Sequence, residues 1–202
     1  TEELTEILAS IGYIHLVTGD EKPDSTTIEA KFEVTYCQTE ARQMLSRIND
    51  LRTGEDAWEW NDTDTEKIFH TDLGELTYDY ELEKVAMQRA AELVAAYSHT
   101  RPDETSCFTA YPSAFDNMSK GENIAIGTGS FTEERAFTGW REEDRPYSGQ
   151  GHRRNMLNKG FRTVGIAHVT YNGCHYWVQE FGGSVVSDEE TPANDSKTTV
   201  KV

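Results

Sequence analysis

The chain has 202 residues, 36% apolar and 10% aromatic, which is enough for one sizeable core and too much for a disordered protein. Acidic side chains outnumber basic ones 36 to 19, and a formal net charge of −17 repels phosphate backbones, which argues against nucleic acid as a partner. No apolar run is long enough for a membrane span, and a first residue Thr1 in place of Met is what a mature or trimmed chain would show.

Leu4, Ile7, Leu8 and Ile11 recur at helical spacing before Gly12, and Tyr13 to Val17 reads as a strand. Ile28, Ala30, Phe32, Val34 and Tyr36 alternate with polar residues, the pattern of a strand with one buried face. Residues 1–36 are therefore expected to form an N-terminal extension packed on the main domain, or the end of a preceding module. From Thr39, a plausible N-cap, the stripe Ala41, Met44, Leu45, Ile48 and Leu51 predicts a helix that Gly54 stops. Residues 54–75 read as acidic and irregular, anchored by Trp58 and Trp60. Asp79 then caps the longest helix, marked by Leu82, Val85, Ala86, Ala90, Leu93, Val94 and Tyr97, which is expected to reach Ser98-His99.

Residues 100–120 read as a loop. Thr132, or Ser130, opens a helix with Glu133 and Glu134 in its first turn and Ala136, Phe137 and Trp140 on its inner face. Gly149 and Gly151 then present His152-Arg153-Arg154-Asn155 at a surface or cleft. Asn172-Gly173 between two alternating segments predicts a hairpin of Thr163–Tyr171 and Cys174–Phe181. Residues 185–202 have no period and read as a polar tail or linker. Helices followed by an antiparallel hairpin point to an α+β fold.

The ordered set Leu76-Thr77-Tyr78-Asp79, Ser98-His99-Thr100, Gly121-Glu122-Asn123-Ile124-Ala125, Trp140, Gly151-His152-Arg153-Arg154-Asn155-Met156-Leu157 and Tyr176-Trp177-Val178-Gln179-Glu180-Phe181 resembles the CAP superfamily (cysteine-rich secretory proteins, antigen 5, pathogenesis-related 1), also called the SCP-like extracellular domain. The bacterial branch is the nearest in pattern, and the match covers about residues 37–184. The resemblance implies an α-β-α sandwich with a central antiparallel sheet, secretion or display at the cell surface, and a cleft of two histidines and two acids. Carried over, these are His99, Glu122, His152 and Glu143, three positions after Trp140, with Glu142 and Asp144 beside it. Arg153-Arg154-Asn155 departs from the eukaryotic pattern, and the cysteine-rich module of those relatives is missing from this sequence.

Two imidazoles suit Zn²⁺ or another divalent cation, and Glu122 or Glu143 is the candidate catalytic base if such a metal polarises water. The same four residues could instead orient a small ligand or peptide with no metal. The spacing of His99 and His152 is that of no known metal motif, and read alone each is a structural histidine. Glu122 read alone is a loop-holding carboxylate. Arg153 and Arg154 suit an anionic ligand, or ion pairs with the surplus acids. Ser98, Ser148 and Ser184 lack a Gly-x-Ser-x-Gly elbow. His15, His70, His168 and His175 belong to no motif. Cys107 and Cys174 are a possible disulfide, with Cys37 the free thiol. Three functions follow: a binding module, a metal-dependent hydrolase, or a structural module with contacts to the cell wall or to other modules.

Overall fold

The computed structural model describes residues 31–201; the expected elements between Thr1 and Ala30, with His15, lie outside them. Strands β1 (Lys31–Tyr36), β5 (Lys120–Thr128), β6 (Thr163–Tyr171), β7 (Cys174–Gly182) and β8 (Lys197–Lys201) pair in the order β5-β7-β6-β1-β8, all antiparallel. The short strand β4 (Thr77–Tyr78) runs parallel to β6. The predicted β6–β7 hairpin forms with the expected turn, Asn172 and Gly173 both taking positive φ (48° and 77°).

Period-two alternation sends each strand's residues to opposite faces. Val164, Ile166, Trp177 and Phe181 meet helices α1 (Gln38–Thr53), α3 (Glu133–Arg141) and α4 (Gly151–Met156) through Ala41, Met44, Ile48, Ala136, Trp140 and Met156. Ala167, Val169, Tyr176 and Val178 meet α2 (Tyr80–Ala95) through Ala86, Ala90 and Leu93. The architecture is thus α+β, with helices on both faces of an antiparallel sheet. Gly165 allows α2 to lie directly on β6: a Cβ there would sit 2.1 Å from the Leu82 carbonyl carbon.

Several expectations are corrected. Residues 54–75 contain a hairpin, β2 (Trp58–Trp60) paired with β3 (Lys67–Phe69), whose few apolar residues gave no alternation long enough to read. Helix α1 is not capped by Thr39. Its N-terminus receives Asp195 from the far end of the chain, whose Oδ1 accepts from Thr39 N at 2.9 Å. Nor are residues 185–202 a free tail: β8 pairs along β1, and Asp79 Oδ2 accepts from Val186 N at 2.6 Å while Oδ1 caps α2. A boundary at residue 36 also cuts the sheet, because β1 is one of its inner strands. All three cysteines are free; Cys107 lies beside Glu122, whereas Cys174 pairs with Thr128 at the opposite end of β5 from Glu122.

Candidate functional site

Helix α2 stops at Ala95, not at His99, so His99 stands in a loop. That loop is pinned by Arg89 Nη2 donating to Ser98 O (2.7 Å), by Cys107 N donating to His99 O (3.0 Å) and by a Thr100–Ser106 bridge. The ring is 58% exposed, and its Nδ1–H donates to Glu122 Oε1 at 2.7 Å. Glu122 is on the edge strand β5, on the face toward α2, and is buried.

Four donors converge on that carboxylate: His99, Arg89 Nε at 2.7 Å, the Cys107 thiol, and Glu180. Burial alone would raise Glu122, but the hydrogen bonds from His99, Arg89 and Glu180 outweigh it and hold the group below the usual carboxylate range. Glu180 is driven the other way, first by complete burial and then by the charge of Glu122. Its neutral form is favoured, with Tyr111 donating to Oε2 at 2.8 Å and Oε1 buried without another partner than the Glu122 carboxylate. Burial, then the carboxylates of Glu122 and Glu180, pushes the Cys107 thiol up to about 12. Arg89, itself fully buried, also binds Glu92 at 2.5 Å, and Arg101 binds Glu92 at 2.7 Å.

The second half of the cleft is built differently. Helix α3 ends at Arg141, and Glu142 takes a left-handed conformation (φ 46°, ψ 35°), which costs a non-glycine residue on the order of 1 kcal/mol. This turn carries the Glu142 carboxylate onto the start of α4. Its Oε2 accepts from His152 N (2.9 Å) and Arg153 N (3.3 Å), and its Oε1 accepts from His152 Nδ1 at 2.6 Å. Glu143, the expected partner, points elsewhere: it pairs with Arg141 and lies 3.8 Å from Arg153, and it does not line the cleft. Counting three residues beyond Trp140 assumed a chain that keeps turning helically, and the left-handed residue shifts the register by one.

The two halves are tied by amides. Asn123, on the opposite face of β5 from Glu122, donates to His152 O (3.1 Å), and Asn155 donates to Glu122 O (3.2 Å) and Asn123 Oδ1 (2.8 Å). Gln150 joins the β2–β3 hairpin to the same turn, accepting from Trp60 N (2.8 Å) and donating to Glu142 O (3.1 Å). The result is an open cleft of about 940 Å³ that holds His99, Glu122, Glu142 and His152. Nε2 of neither cleft imidazole has a hydrogen-bond partner among the described residues.

Several lining residues carried no motif. His70, Glu59 and Asp72 arrive from the β2–β3 hairpin region and Ser148 from the loop before Gly151, and Arg154 of the Gly151–Leu157 motif joins them. Cys107 joins His99 and Glu122 in a group whose ligand atoms lie within 4.8 Å of one another. Its neighbours in sequence gave no signal, because the loop fold alone brings it there. Arg153 is buried by three backbone carbonyls, those of Trp58, Arg141 (2.9 Å) and Asp56, and by the Trp58 ring, so it is a structural bracket and not an anion site. Arg154 stacks on Tyr147 at 4.0 Å. His168 lies outside the cleft, stacked on Trp177 (4.0 Å) and bonded to Glu40 and His175; burial and then His175 push it down to about 3, so it stays neutral.

A three-layer α-β-α fold whose cleft holds two histidine–carboxylate pairs defines a class. Residues 45–181 match the CAP family, the cysteine-rich secretory protein family, and the chain belongs to it. Among solved structures it is similar to an extracellular protein with an SCP domain from Bacillus anthracis (20% identity, TM-score 0.51), covering 72% of this chain and 41% of that one. It is also similar to an outer surface protein of Borrelia burgdorferi (20%, TM-score 0.51, 77% and 98% covered) and to NaASP2, solved with Zn²⁺ (17%, TM-score 0.54, 81% and 88% covered). At these identities the likeness is one of fold. The chain spans less than half the length of the B. anthracis protein. Comparison with curated proteins gives no significant match. Among the described residues no helix is long and apolar enough to cross a membrane.

Proposed function

We propose that this chain is an extracellular CAP domain acting as a binding module, and that its cleft takes a divalent cation, Zn²⁺ in the first instance, on the Nε2 atoms of His99 and His152. One observation carries the reading. Each ring gives its Nδ1–H to an acceptor carboxylate, which fixes the tautomer and leaves Nε2 as a lone pair, the arrangement second-shell carboxylates impose on metal-binding histidines. The donor set fits a borderline-soft ion, with water completing its coordination. The structure of NaASP2 with Zn²⁺ and the descriptions of two similar proteins as extracellular or outer surface proteins support the metal and the location.

The hydrolase reading needs a free carboxylate base, and that weakens it. Glu122 accepts from four donors and Glu142 from three, so the oxygens of both are already engaged in positioning their partners. The cell-wall reading remains a role for a longer chain around this domain. Metal content measured after dialysis against Zn²⁺ tests the proposal: wild type retains the ion and His99→Ala/His152→Ala loses at least about ten-fold in affinity. Equal retention by both would refute it. Turnover of a peptide and ester library that vanishes with Glu142→Gln would restore the hydrolase.

A further inference from the structure

We propose that the hairpin wall of the cleft holds a second divalent-cation site, separate from the His99–His152 centre, with His70 Nε2 and Glu59 Oε1 as ligands. Glu59 is the middle residue of β2, and His70 follows β3 directly, its N–H pinned to Ala57 O at 2.7 Å. Both side chains are four-fifths buried, and both line the cleft.

His70 Nε2 is fully buried and has no hydrogen-bond partner. Buried polar atoms of this kind call for an explanation, an ion or water being the usual one. It faces Glu59 Oε1 at 3.8 Å, too far for a hydrogen bond and an ion pair only when the ring is protonated. Two ligands of one tetrahedral zinc, at Zn–N and Zn–O distances of about 2.0–2.2 Å, stand roughly 3.3–3.5 Å apart, so a shift of a few tenths of an ångström closes this pair on a cation. The Glu59 carboxylate accepts no hydrogen bond among the described residues, unlike Glu122 and Glu142, and so keeps its lone pairs for a ligand. Imidazole with a carboxylate in a chain of net charge −17 selects a divalent cation over an anion.

The site does not depend on the proposed centre, and one titration separates them. Metal-free protein is titrated with Zn²⁺ by calorimetry, and the imidazole nitrogens are followed by long-range ¹H–¹⁵N NMR. Wild type is expected to bind one equivalent more than His70→Ala, with the His70 Nε2 resonance shifting as that equivalent fills. Glu59→Gln, which keeps the side chain's shape, weakens the same equivalent about ten-fold or more, and His99→Ala/His152→Ala leaves it in place. A water bridging His70 and Glu59 predicts unchanged isotherms in both hairpin variants, which overturns the proposal. A single ion lost equally from His70→Ala and from the double variant overturns it as well.

Discussion

His99 and His152 each give Nδ1–H to a carboxylate, yet the two carboxylates are anchored in different materials. Glu122 sits between sheet and helix in a buried chain of charges that runs through Arg89 and Glu92 to Arg101. Glu142 sits on a strained turn and is held by the first backbone N–H groups of a six-residue helix. In the first half the histidine's orientation is bound up with the stability of the whole domain, because buried charges must be compensated or the fold suffers. In the second it rests on local geometry, as a helix cap does. One ring orientation has therefore been reached at two levels of structure, and damage to each half should spread differently.

The largest test removes the shared cation. Arg89→Met removes the guanidinium between Glu92 and Glu122, leaving Arg101 to the first and His99 to the second, and is expected to destabilise the domain by about 3 kcal/mol in urea unfolding, the cost of an undercompensated buried charge. A loss below about 1 kcal/mol would dissolve the contrast between the halves. Glu180 gives a pH signature next. Its folded pKa is raised, so the unfolded chain ionises it first, and stability falls as pH rises above its unfolded value of about 4.3, at up to about 1.4 kcal/mol per pH unit. Glu180→Gln should flatten that decline between about pH 5 and 8. Glu122 works oppositely: its folded pKa is depressed, so its contribution is complete above about pH 4.3 and is lost on acidification through the folded value.

Glu142→Ala removes a cap-like acceptor and should cost about 1–2 kcal/mol, with the His152 ring resonances broadened and those of His99 unmoved. Equal disturbance of both rings would show the halves to be coupled through Asn123 and Asn155. His99→Ala should be the mildest, within about 1 kcal/mol, because the ring is mostly exposed.

Much of this molecule was legible in its residues. The α1, α2 and α3 stripes, the Asn-Gly hairpin and the family follow from short patterns, where local chemistry dictates backbone. His99, Glu122 and His152 were placed by motif, and the structure brings all three to one cleft with Glu142 in the place expected of Glu143. That single-residue error marks the limit: a left-handed residue after α3 is not encoded by any period. His70 was passed over for a related reason, since three-residue strands carry too few apolar side chains to announce a hairpin.

The far end of the chain shows the same division. Residues 185–202 looked like a linker because they bury little, yet Asp195 caps α1, Asp79 ties down Val186 and Ser187, and β8 extends the sheet through backbone hydrogen bonds. Periodicity reports apolar burial, and these contacts are mainly polar or backbone ones, with Val186 and Val200 packed at the margins of the core. Propensity and patterning act over a few residues, and that was enough to settle most of the helices and long strands and to single out two of the cleft histidines. Which carboxylate meets each ring, the neutrality of Glu180 beside a charged Glu122, and the arrival of a third histidine in the cleft came only with the folded chain. Those outcomes depend on burial and on partners 10 to 69 residues away in sequence.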